Sequence, residues 1–144
     1  MVSLHCDPDF EYPFHSGFSD QTGVGDGAGT TLHLPMPPKT QWNEYQQCLE
    51  TGLQRINEFS AQAVVVSMGL DTHQGDPCAI RRAGFCLQGP NYRDMGQTIA
   101  RGLHGLPTVI IQEGGYLMET IGEAASNVVL GYLEESQKKA ELST

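Results

Sequence analysis

Hydrophobic spacing divides the chain into short apolar runs and amphipathic stretches. Val64-Val65-Val66 is β-branched and reads as the start of a fully buried strand over residues 64–70, and TVIIQ at 108–112 reads as another. VSLHC at 2–6 predicts a short strand near the beginning of the sequence. Between 41 and 59, Trp42, Tyr45, Leu49, Leu53, Ile56 and Phe59 recur at steps of three and four, which predicts an amphipathic helix with Thr40 as its N-cap. Tyr92, Met95, Ile99 and Leu103 predict a second helix over 91–104, capped by Asn91, closed by Gly105 and barred from continuing by Pro107. Ile121, Ala125, Val128, Val129 and Tyr132 predict a third over 118–135, and the polar tail 136–144 is expected to fray. Residues 7–39 show neither period and are rich in Gly, Pro, Asp and Thr. An irregular segment of that length is uncommon in a compact domain unless it is functional or wraps around something.

The order β–loop–α–β–α–β–α is that of an α/β domain, a parallel sheet flanked by helices, with about three strands and three helices over 1–135. At 144 residues the chain is long enough for one domain with a real core. Apolar residues make up 39%, while 17 glycines point to many turns. The formal charge of −9 leaves no basic stripe to follow a phosphate backbone, so nucleic-acid binding is not expected. No apolar run approaches membrane-spanning length, and a membrane partner is not expected either. Cys6, Cys48, Cys78 and Cys86 form no CxxC pair, no secretory signal accompanies them, and they read as reduced thiols of a cytoplasmic protein.

Candidate chemistry collects after two strands. Asp71 and His73 follow the Val64 strand between Gly69 and Gly75, and Tyr116 follows the Thr108 strand after Gly114 and Gly115. Ligands of parallel sheets gather beyond the carboxyl ends of strands, so one cleft can hold both turns. The plainer reading is that these are tight strand-to-helix turns. Asp71 and His73 alone do not make a zinc site, because catalytic zinc takes three protein ligands. His5, Asp7 and His15 are the further candidates, against the plain reading of His5 as a packed strand-end residue and His15 as a loop residue.

Three blocks in this order, VSLHCDPDFEYPFHSGFSDQTGVGDGAGTTLHLPMPP, VVVSMGLDTHQGDP and VIIQEGGY, resemble the histone deacetylase superfamily, its acetylpolyamine amidohydrolase branch in particular. The likeness runs over roughly residues 2 to 133. It implies part of the arginase/deacetylase fold and the chemistry of zinc-dependent hydrolases of acetyl-amide bonds on lysine side chains or polyamines. By resemblance, Asp71 matches one of three zinc ligands, Tyr116 the tyrosine that donates to the oxyanion, and Gly114 and Gly115 the wall beside it. Cys78, Phe14 and His15 fall on positions lining the acyl-amine channel, His15 where the family often has a second aromatic. His73 is not a zinc ligand by this resemblance.

The family's His-His pair and its Asp-x-His block, which supply the general base and the other zinc ligands, precede the VSLH strand. No His-His dipeptide occurs in the 144 residues. The chain is therefore expected to represent a truncated, C-terminal portion of the domain, inactive alone, with zinc absent or weakly bound. The expected partner is a second copy in a homodimer, or the missing N-terminal half in a split deacetylase, with an acetylated amine as possible ligand. The 7–39 arm is a candidate for exchange between protomers.

Overall fold

A computed structural model describes residues 1–81 and 84–142. Its elements are β1 (Val2–Cys6), β2 (Leu32–Met36), α1 (Trp42–Glu58), β3 (Val64–Met68), α2 (Pro77–Arg81), α3 (Gly89–Gly102), β4 (Thr108–Gln112) and α4 (Met118–Leu142), with short 3-10 turns at Gly25–Gly27 and Leu70–Thr72. The architecture is α/β with parallel strands flanked by helices, and it has one strand and one helix more than the sequence pattern predicted.

The extra strand is β2, inside the segment read as irregular. It pairs in parallel with β1 from Val2↔Leu32 to Cys6↔Met36. Pro35 does not break it. The Leu32 N–H donates to Met1 O and the Asp7 N–H to Met36 O, so alternate positions 32, 34 and 36 serve the ladder and position 35 faces away from β1. Proline is tolerated on an edge strand where no donor is needed. The extra helix is the short α2.

The strands form two parallel pairs, β1–β2 and β3–β4. In the second pair Val64 lies opposite Thr108 and Met68 opposite Gln112. Within each pair the strands run the same way. At one end the Thr40 carbonyl accepts from Cys86 N–H and the Thr72 carbonyl from Leu87 N–H, which joins the chain after β2 to the chain after β3. At the other end Asn57 Nδ2 donates to Gly102 O, and Val64 N–H to Pro107 O.

The core lies between these strands and α1, α3 and α4, and is built from Leu53, Met68, Tyr92, Met95, Ile99 and Leu103, among others. β3 and β4 are not fully buried strands. Val64 and Val66 pack against this core, whereas Val65, Val109 and Ile111 are 64%, 57% and 44% exposed. With side chains alternating across a sheet, one face of β3–β4 meets the helices and the other carries exposed apolar residues.

The helix ends also differ from expectation. Gln41, not Thr40, is the N-cap of α1; Glu44 reaches back to accept the Gln41 N–H at 3.1 Å. Thr40 is buried, with its hydroxyl committed to Pro37 O at 2.7 Å. Asn91 stands at the third position of α3 and accepts from the Gln88 N–H, so Gln88 is the cap. α4 continues through Leu142 rather than ending near Glu135. Its last turns are held by Glu135 on Arg101 and by Lys139, whose ammonium donates to Ala100 O and Arg101 O at the C-terminus of α3. No described helix is long and apolar enough to cross a membrane.

Candidate functional site

The turn after β3 and the turn after β4 are fastened together by one buried carboxylate. Asp76 is 1% exposed; its Oδ2 accepts from the N–H of Tyr116 at 2.7 Å and of Leu117 at 3.1 Å, and its Oδ1 accepts from Cys78 N–H at 2.9 Å. A second tie, Leu70 N–H to Gly114 O at 3.0 Å, runs beside it. The two strand-end turns are therefore joined, and Asp76 joins them. The sequence signal was the Asp-Pro pair at 76–77, an acid that bonds backbone two residues on while opening a helix at proline.

Asp71 sits in the 3-10 turn Leu70–Thr72 with its carboxylate against Gly114: a Cβ there would lie 2.3 Å from Oδ2 and 2.7 Å from Cγ. Position 114 must be glycine for this carboxylate to lie where it does. Gly115 has φ +124 and would press a Cβ to 2.9 Å from Leu70 Cβ, so its backbone is closed to other residues. Burial pushes the Asp71 carboxyl above its ordinary value, and the charges of Asp76 and Glu11 add to the effect. The free chain thus holds Asp71 in surroundings that disfavour its anion.

Tyr116 is anchored by its backbone, while its side chain is 60% exposed. Cys78 lines the same cavity as Asp71 and Glu11. The Phe14–His15 pair lies on the 7–39 arm, Phe14 at φ +63 and 57% exposed, His15 exposed. The arm reaches the Asp71 end of the cleft through Glu11.

The histidines have other duties. His73 Nδ1 accepts from Gly75 N–H at 3.1 Å and its ring stacks on Tyr92 at 6.4 Å. His5 bridges Ser3 Oγ and Gly17 O, each at 2.8 Å, and meets the His33 ring edge-on at 5.4 Å. It pins the arm to β1. Among the described residues no three His, Cys, Asp or Glu side chains gather as a metal-binding group. None of the four cysteines forms a disulfide among the described residues, and burial pushes the thiols of Cys6 and Cys48 up, away from the reactive thiolate. One carboxylate donor does not fit a catalytic zinc ion, which needs three protein ligands.

Comparison with known proteins identifies the family. The chain is 41% identical over 131 residues to the acetylpolyamine amidohydrolase of Mycoplana ramosa, covering 91% of this chain and 37% of the relative. It is 40% identical over 132 residues to acetylpolyamine amidohydrolase 1 of Pseudomonas aeruginosa, covering 92% and 36%. The crystal structure of an acetylpolyamine aminohydrolase from Burkholderia pseudomallei superposes with a TM-score of 0.84 at 32% identity, over 93% of this chain and 37% of that one. The chain spans little more than a third of the length of these relatives. The profile of the histone deacetylase domain matches residues 1–132, almost the whole sequence, and the chain belongs to the histone deacetylase family.

Proposed function

We propose that this chain forms one wall of a zinc-dependent amide-hydrolase site for an acetylated amine, and that it is catalytically silent by itself. The Asp76 bracket carries this reading, because it presets the Asp71 and Tyr116 turns without supplying the rest of a metal site. Asp71 then serves as a ligand, and the Tyr116 phenol donates a hydrogen bond to the developing oxyanion. Phe14, His15, Cys78, Gly114 and Gly115 shape the slot for the acyl-amine. The His-His and Asp-x-His groups come from polypeptide outside these residues. Because the residues present do not fit a zinc ion alone, no catalytic step is assigned to the metal in the isolated chain. Four cysteines without a disulfide favour a reducing, cytoplasmic setting.

A homodimer is the second reading, favoured by the exposed apolar face of Val65, Val109 and Ile111.

The test is hydrolysis of an acetylated polyamine with added zinc. The chain alone should give no turnover, and mixing it with the N-terminal remainder of the Mycoplana ramosa relative should restore it. Tyr116→Phe should then lower the restored rate about 10²–10³-fold. Turnover by the chain alone, or restored turnover indifferent to Tyr116→Phe, would contradict the proposal.

A further inference from the structure

α1 and α3 end side by side. The Asn57 amide donates to Gly102 O at 2.9 Å, and a Cβ on Gly102 would lie 2.7 Å from Leu53 Cδ1, so the two helices touch near their last turns. The loops after them lead into β3 and β4, whereas Asp71 follows β3, so this contact lies at the far end of the strands from the candidate site. A groove of about 420 Å³ runs along it, lined by the buried Leu53 and by Gly102, with the exposed Glu50, Glu58, Arg101 and His104 around them.

Thr98 of α3 also lines the groove and is 6% exposed. Its hydroxyl has no hydrogen-bond partner among the described residues, not even the carbonyl one turn back that Thr51 uses in α1. Nor is it sealed away. Among the described residues the wholly enclosed side-chain polar atom without a partner is His33 Nδ1, so the Thr98 hydroxyl opens to the groove it lines. A hydroxyl drawn into a protein wall is met by a partner as a rule, and here the partner must come from the groove.

The rest of the wall selects positive charge. Glu50, Gln54 and Glu58 recur at every fourth residue on one ridge of α1. Both helices end here, so the carbonyl ends of two helix dipoles add negative potential. The end of α3 already takes one ammonium, that of Lys139 on Ala100 O and Arg101 O. Arg101 brings the opposing charge, but its guanidinium is held by Glu135 at 3.1 Å. Arg55 meets Glu58 at 3.6 Å in an exposed pair of little strength. From Glu50 to Glu58 the helix rises about 12 Å, too far for the two carboxylates to share one metal ion. A ligand that meets both needs two positive ends, joined by an apolar stem that lies on Leu53.

We propose that this groove is a second ligand site, for a linear alkyl diamine with both ends charged. Because α1 and α3 run toward the same end, Thr98, one turn before Gly102, stands at the Glu50 end of the groove. One ammonium donates there to the Glu50 carboxylate and to Thr98 Oγ1. The methylene stem covers Leu53, and the second ammonium donates to Glu58. Thr98 supplies the direction that exposed carboxylates alone do not. The site stands apart from the amide-hydrolase reading and needs no polypeptide outside these residues.

Titration of the chain with an eight-carbon terminal diamine, followed residue by residue in nuclear magnetic resonance spectra, tests this. Saturable shifts are expected at the Glu50, Gln54, Glu58 and Thr98 amides. The same diamine acetylated at one end keeps the stem and loses one charge, and should bind at least about tenfold more weakly. That control separates this groove from the Asp71 cleft, which is read as taking the acetylated form. Glu50→Gln, a change on the exposed surface, and Thr98→Val should each weaken diamine binding about threefold or more. Thr98→Val should do so with thermal stability retained, because it removes a hydroxyl that bonds nothing in the free chain. Shifts that never saturate and spread over the whole acidic surface would overturn the site. So would equal binding of the acetylated form, or binding indifferent to both variants.

Discussion

Where α3 crosses α4 the two backbones touch. A Cβ on Gly96 would lie 2.1 Å from Val128 O, and one on Gly131 2.1 Å from Arg93 O. Polar groups along this seam are met: Arg93 and Gln97 hold Glu134, whose carboxyl these hydrogen bonds keep below its ordinary value, and Asn127 Nδ2 donates to Gly89 O at 3.0 Å. Between β1 and β3 the reverse holds. Backbone edges face an open apolar space, and the outer surface of β3–β4 carries exposed valine and isoleucine. The difference teaches that the α3–α4 seam is a finished interior, whereas the strand layer has the surfaces of an interior without the groups that cover them. Asp71 lines the open space of the unfinished half.

The sharpest way to break this contrast is to strike the finished side. Gly131→Val should force the helices apart and lower unfolding free energy by about 3 kcal/mol or more in a urea titration. Asp76→Ala should come next. It leaves three backbone N–H groups without their carboxylate and should destabilise by about 2–3 kcal/mol, with the Tyr116 turn released.

Alkali should act on the same interior more gently. Burial pushes the Tyr45 hydroxyl from its ordinary 10.0 up to about 12 and raises that of Tyr92 as well. The folded chain holds these protons more tightly than the unfolded one. The Tyr45 contribution is therefore complete below pH 10.0 and is lost as pH rises through about 12. Stability measured by urea should fall across that window by on the order of 2 kcal/mol for Tyr45, and tyrosinate absorbance should show a late phase.

The smallest effect is expected on the open side. Val109→Thr, on the exposed face of β4, should change stability by no more than about 0.5 kcal/mol. A loss several times larger would show that this face is covered in solution.

Much of this contrast was legible in the sequence, and the missing parts have physical reasons. β1, β3, β4 and the three long helices follow from local period, which needs no knowledge of partners. β2 does not: LHLPM is five residues holding a proline, and it is a strand only because β1 lies alongside to receive positions 32, 34 and 36. The burial of β3 was misjudged for a related reason, since Val-Val-Val states that a strand is suited to an interior, not that the interior is complete. The extension of α4 past Ser136 comes from Lys139 meeting the open carbonyls of α3, a contact made across the fold. The placement of Asp71, Gly114 and Tyr116 after strand ends was readable from the pattern. Asp76 was passed over because its role lies in backbone groups forty residues away, which carry no side-chain signature.

The central claim is that a preset wall exists here without the donors that would complete it. Calorimetric titration of zinc into the chain, alone and with the N-terminal remainder of the Mycoplana ramosa relative, tests it most directly. The account predicts no stoichiometric binding to the chain alone, and one zinc per complex that Asp71→Asn weakens sharply. One tightly held zinc per chain in the absence of any partner would contradict it.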